Sequence, residues 1–116
     1  MNTVAALLSA QAITASGSEA AGHAVGVLAP SPGSDSVSVQ VIVSAATGTT
    51  PSATFSLQWS NDNVTYSPAA PADVFAAITA AGSVVQRFTA KGQYFKLAWT
   101  VTGTTPSLTT TAYAYS

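Results

Sequence analysis

The reading of this chain turns on Thr47-Gly48-Thr49-Thr50-Pro51-Ser52, because the same six residues return as Thr102-Gly103-Thr104-Thr105-Pro106-Ser107. A fainter echo precedes each copy. Ala12-Ile13-Thr14-Ala15-Ser16-Gly17-Ser18 comes before the first, and Ala77-Ile78-Thr79-Ala80-Ala81-Gly82-Ser83 before the second. Short coincidences are cheap in a chain rich in Ala, Ser and Thr. A hexapeptide identity that contains Gly and Pro, in the same order as a second echo, is not. Self-similarity of this kind bears on architecture before any other signal, and here it points to one half-domain plan used twice.

Working outward, the flanking segments alternate. In Val37-Ser38-Val39-Gln40-Val41-Ile42-Val43-Ser44 every odd position is valine, and beyond the first hexapeptide Phe55, Leu57 and Trp59 alternate with Ser56 and Gln58. Period two with β-branched and aromatic residues is the signature of half-buried strands. Phe95, Leu97, Trp99 and Val101 repeat it ahead of the second hexapeptide, and Leu108 to Tyr115 follows as the last strand. Each hexapeptide therefore reads as a hairpin connection: glycine takes a positive φ, proline ends pairing, and hydroxyls satisfy loop backbone groups. Residues 11–16, Ala24 to Leu28, Val64 to Tyr66, Val74 to Thr79 and Val84 to Thr89 read as further strands. Pro30-Ser31-Pro32-Gly33, Ser60-Asn61-Asp62-Asn63 and Pro68 to Pro71 read as breaks between them.

Eight or nine short strands from two similar halves predict an all-β fold, an antiparallel β-sandwich of jelly-roll-like construction. Its core should be Val37, Val39, Val41, Val43, Phe55, Leu57, Trp59, Phe95, Leu97, Trp99 and Val101. Residues 11–116 form the sandwich domain. Residues 1–10 form an N-terminal arm or short helix, since Val4, Leu7 and Leu8 fit either an apolar helix side or an extended segment lying on a neighbour. Val4 to Leu8 superficially suggests a secretory leader, but it lacks a basic n-region and its apolar run is short, so no signal peptide is expected.

Composition narrows the function. At 116 residues the chain suits one domain with its own core, and it has no cysteine for disulfides or thiolate chemistry. Only 6% of residues are charged and the formal net charge is -1, against about 25% charged residues in ordinary soluble domains. Three basic residues cannot neutralise many phosphates, which argues against nucleic acid as a partner. No stretch approaches the ~20 apolar residues of a membrane helix. A surface so short of charge is weakly protected against association, which suggests that neighbours cover much of it.

Catalytic signals are absent from the pattern. His23 is the sole histidine, and Glu19, Asp35, Asp62 and Asp73 show no triad or metal-ligand spacing. No Gly-x-Ser-x-Gly elbow or phosphate-binding glycine loop occurs. The chain reads as a non-enzyme with no catalytic residue, cofactor or metal. Asn61-Asp62-Asn63 lacks the further carboxylates of a calcium loop and reads as a plain turn. Trp59 and Trp99 could form a sugar-binding platform, yet they lie in phase with core positions. Tyr94, Tyr113 and Tyr115 could face solvent or a partner.

The run from Ala12 to Ser116 resembles the small all-β head proteins of tailed bacteriophages, found as decoration or cementing subunits on the capsid. The features that carry the likeness are the Ala-Ile-Thr-Ala start, the valine-rich strand into Thr47–Ser52, and the Gln58-Trp59-Ser60-Asn61-Asp62-Asn63 turn. Ala77 to Gly82, Gln93-Tyr94-Phe95-Lys96-Leu97 and the second hexapeptide continue it. In such proteins the turn often reads Ser-x-Asp-Gly with an aromatic residue soon after; here Asn63 replaces the glycine and Tyr66 stands for the aromatic. The resemblance implies a virion structural protein without catalysis, bound to the major capsid protein on the capsid exterior, commonly as homo-trimers, and made in the host cytoplasm. A carbohydrate-binding, host-glycan-recognising, fibre or tail component of the virion is the alternative. Candidate contact residues are Val4, Leu7 and Leu8 of the arm, Pro30 and Pro32 of the loop, Thr49, Thr50, Pro51, Thr104, Thr105 and Pro106 of hexapeptides placed at one end of the sandwich, and Tyr113 and Tyr115.

Overall fold

Alternating β-branched and aromatic residues on both sides of each hexapeptide produce two strands far longer than the usual five or six residues. The computed structural model describes residues 4–24 and 36–115, and within them seven strands form one antiparallel sheet. The strands are β1 (Val4–Ile13), β2 (Gly17–Ser18), β3 (His23–Ala24), β4 (Ser36–Ser60), β5 (Ser67–Val74), β6 (Gly82–Thr89) and β7 (Tyr94–Tyr115). β4 has 25 residues and β7 has 22. They pair with each other from Ser38 opposite Tyr115 to Ser60 opposite Tyr94. The all-β, antiparallel expectation holds. The expected count of short strands does not, because strands predicted on either side of each hexapeptide are one.

The hexapeptides are not hairpins. They lie side by side in the middle of the long strands, Thr47 opposite Ser107, Thr49 opposite Thr104 and Ser52 opposite Thr102. Each copy supplies backbone partners to the other, so the chain bends there without reversing. The bend comes from paired bulges: Gly48 and Thr50 have φ of 106° and 47°, and Gly103 and Thr105 have 116° and 46°. These matched values place a pseudo-two-fold axis between Thr49 and Thr104. The fainter echo obeys it too. Ile13 stands opposite Leu108 and Ile78 bridges Ala53, while Gly17 stands opposite Trp99 and Gly82 opposite Val43.

The two halves are interleaved. β1, β2 and β3 of the first half pair with β7, whereas β5 and β6 of the second pair with β4. A straight strand of β4's length would span roughly 80 Å at about 3.3 Å per residue, yet the longest dimension of the molecule is 46 Å. The long strands therefore coil. Phe75 donates its N–H to the Phe55 carbonyl at 2.8 Å, and Phe88 stands opposite Val37 at the far end of β4. Even so, the Phe75 and Phe88 rings meet edge-on with centroids 5.2 Å apart. Coiling has brought the two ends of β4 together over a single core.

Every predicted core residue is buried except Val101, which is half-buried; Leu8, Ile13, Ala53, Phe75, Phe88, Leu108, Ala112 and Ala114 join them. Of the two conformations left open for residues 1–10, Val4 to Ala10 take the extended one, paired with β7 of the same chain. The returning strand predicted at Val64 to Tyr66 starts later, at Ser67. It runs through Pro68 to Pro71, a stretch whose sequence predicts an interruption of pairing. A register shift between Leu57 and Gln58 accommodates them on the sheet edge, where prolines are tolerated. The predicted break at Pro30 to Gly33 lies outside the described residues, as does most of the strand predicted from Ala24.

Candidate functional site

The fold gathers the hexapeptide candidates side by side at the middle of the two long strands. Thr49, Thr50, Thr104 and Thr105 are all exposed around the pseudo-two-fold axis, with Pro51 and Pro106 half-buried beside them. The Thr50 and Thr105 hydroxyls each donate to the preceding carbonyl at 2.8 Å, so the symmetry extends to the side chains. Tyr113 is 39% exposed on β7, opposite Ala6 on one side and Gln40 on the other. Val4 pairs with Tyr115 in the adjoining register. Leu8 is corrected: at 6% exposure it belongs to the core, because the β1 alternation turns it inward, while Leu7 is half-buried. Pro30 and Pro32 lie outside the described residues.

Both tryptophans serve the core. Trp59 and Trp99 are 5% and 7% exposed, and each indole N–H is satisfied internally. Trp59 donates to Asp73 Oδ2 at 2.8 Å and Trp99 to the Ala15 carbonyl at 3.1 Å. Asp73 Oδ1 accepts from Lys91 Nζ at 2.9 Å. A hollow of about 540 Å³ opens beside this group, bordered by Asn61, Asp62, Pro68 and Lys91. Each ring is almost wholly covered, and Trp59 borders this hollow.

Asp62 shows why its turn forms. Its Oδ1 accepts the Val64 and Thr65 amides, each at 2.9 Å, and the Ser60 hydroxyl at 2.8 Å. Those backbone amides hold its carboxyl at a pKa of about 2, below the usual 3.8. Ser60 Oγ in turn accepts the Asp62 and Asn63 amides, and Asn63 sits at φ 58°. The turn's own backbone and Ser60 thus converge on one oxygen of this carboxylate. Tyr66 donates to Asn63 Oδ1 and stacks under Lys96 Nζ, 4.7 Å from its ring centre. Desolvation first, then neighbouring Tyr94, Asp62 and Glu19, raise the Tyr66 pKa above its usual value.

Glu19 is the residue that pattern reasoning passed over. It is 8% exposed, and its Oε1 accepts the Leu97 amide at 2.7 Å while its own N–H donates to the Leu97 carbonyl at 2.9 Å. His23 Nε2 donates to Oε2 at 2.7 Å, and the His23 ring rests on Phe95 with centroids 5.4 Å apart. The carboxylate thus replaces a missing strand residue between β2 and β3 and fastens both to β7. No helical spacing could reveal the pair, because the backbone between Glu19 and His23 is not helical. A hollow of about 430 Å³ adjoins it, bordered by Leu7, Gln11, Ser18 and Trp99. The Ser18 hydroxyl donates to the Glu19 carbonyl at 3.4 Å.

No protein-family model and no curated protein matches this sequence. Among solved structures the fold is similar to that of the SPBc2 prophage-derived protein YomS, with a TM-score of 0.51 at 15% sequence identity. The match covers 100% of this chain and 94% of YomS, so the likeness extends over the whole all-β fold.

Proposed function

We propose that this chain is a non-enzymatic structural protein of a phage virion. In this reading it is a jelly-roll-like decoration subunit that self-associates, binds the major capsid protein on the capsid exterior and stabilises the shell. One observation carries the reading: each charged side chain among the described residues has a partner within the fold. Glu19 holds His23, Lys91 holds Asp73, Asp62 holds backbone amides, Lys96 covers Tyr66 and Arg87 reaches Ser36. Much of the rest of the exposed surface is small and neutral, such as the exposed threonines of the hexapeptides. Surfaces of this kind pack closely at low side-chain entropy cost. The fold shared with a prophage-derived protein supports the phage setting, and the sequence resemblance supports the decoration role.

The test uses purified phage heads lacking this protein. Adding it should saturate discrete positions on the outer surface by electron microscopy and raise the temperature at which heads open. Because neutral surfaces make the contact, affinity should change less than about threefold between low and moderate salt. Heads that gain no density, or binding that collapses with salt, would overturn the proposal.

A further inference from the structure

Sheet edges offer unpaired backbone groups and are ordinarily blunted. Three edges of this sheet follow that rule. β1 carries two register shifts and Ala10 at φ 47°, β5 carries Pro68, Pro71 and its own register shift, and β2 and β3 have two residues each. β6 differs. Its eight residues pair with β4 in unbroken register from Ser36 opposite Thr89 to Val43 opposite Gly82. Among the described residues no strand lies on its other side, and it holds neither proline nor bulge. Its outward residues are Ser83, Val85, Arg87 and Thr89, with Val85 60% exposed.

We propose that β6 is a self-pairing edge: a second copy of this chain docks its β6 antiparallel against the first, about a two-fold axis at Val85. The sequence of the edge favours its own copy. With Val85 opposite Val85 of the second copy, Arg87 falls opposite Ser83, and the only charge on the strand meets no like charge. Antiparallel pairing in this register works whichever backbone groups of β6 point outward, since residues 84 and 86 then exchange partners in the same way as residues 83 and 87. A net charge of -1 opposes association little. Within one copy, the register sets Val85 beside Gln40, Gln40 beside Tyr113 and Tyr113 beside Ala6. Pairing would therefore carry one outer face, with its exposed Val85 and Tyr113, continuously across both copies.

The absence of cysteine makes the test clean. In Val85→Cys the two thiols would face one another across the axis, within the Cα separation that a disulfide requires. Oxidation should give a covalent dimer at least about tenfold faster than Val64→Cys, a control at a residue 81% exposed in a turn outside every strand. A mixture of Ser83→Cys and Arg87→Cys chains should cross-link as a mixed pair and scarcely as like pairs. By sedimentation equilibrium the unmodified chain should dimerise, and Val85→Lys, which sets two like charges face to face, should weaken the dimer roughly tenfold or more. A chain that stays monomeric at all concentrations would overturn the proposal. So would a Val85→Cys variant that cross-links no faster than Val64→Cys, or a dimer that Val85→Lys leaves intact.

Discussion

Gly48 and Gly103 hold the bends of the long strands, and their surroundings are near copies. A Cβ on Gly48 would come within 2.5 Å of the Thr105 carbonyl oxygen, and one on Gly103 within 2.7 Å of the Thr50 carbonyl oxygen. Backbone cannot yield as a flexible side chain does, and both φ values lie where L residues are strained. Gly48→Ala and Gly103→Ala should each cost about 2–4 kcal/mol, and the two losses should agree within about 1 kcal/mol. Urea unfolding checks this, and strongly unequal losses would argue against the pseudo-symmetry. Glu19 gives a graded case. Glu19→Ala leaves the buried Leu97 amide and His23 unpaired and should cost about 2–4 kcal/mol, whereas Glu19→Gln keeps an acceptor and should cost less. Asp62 gives a pH signature. Its folded pKa of about 2 lies below the usual 3.8, so its contribution is present above pH 3.8 and is lost as pH falls through 2. Asp62→Asn should flatten the fall of the unfolding midpoint in that window. Tyr66 acts in the opposite direction: its raised pKa means that its contribution is present below its usual value of 10.0 and is lost at higher pH, as pH rises through the raised value.

At the scale of elements, the alternating runs were legible and the hexapeptides were legible only as a repeat. Val37 to Val43, Phe55 to Trp59 and Phe95 to Trp99 point inward as period two demands, because each lies in a strand with one covered face. Thr-Gly-Thr-Thr-Pro-Ser has the local chemistry of a turn, and nothing local reveals that its partner is its own copy 55 residues away. Non-local pairing overrode turn propensity. The same limit hid β5, where prolines look like breakers until the strand is seen to lie at an edge. It also hid Glu19, an acid in a stretch of Ser, Ala and Gly whose buried partner is a backbone amide of β7. Ala53, Ala112 and Ala114 were poor core signals by size, yet close approach of the coiled strands calls for small residues there. The contact candidates fared unevenly for one reason: alternation tells which residues share a face, but the coil decides which face is covered.

For the whole molecule, interleaving has a consequence that a pair of stacked domains would not share. Each half's short strands are bonded to the other half's long strand, and Phe75 meets Phe88 across the closure. Neither half keeps its pairing when the other opens, so unfolding should be a single transition. The tryptophans make this measurable because both stand on one side of the pseudo-axis: Trp59 pairs in register with Phe95 and Trp99 with Phe55, while the other side is filled by Val37 to Val43, Leu108, Ala112 and Ala114. Leu108→Ala on the aliphatic side and Leu97→Ala on the aromatic side should each cost about 2–5 kcal/mol. The discriminating observation is how Leu108→Ala is reported. Tryptophan fluorescence, which senses only the aromatic side, should shift its midpoint as far as far-ultraviolet circular dichroism, which senses the whole sheet. Two separated midpoints in that variant would mean that the two sides of the pseudo-axis open independently, and the continuous long strands would then not couple them.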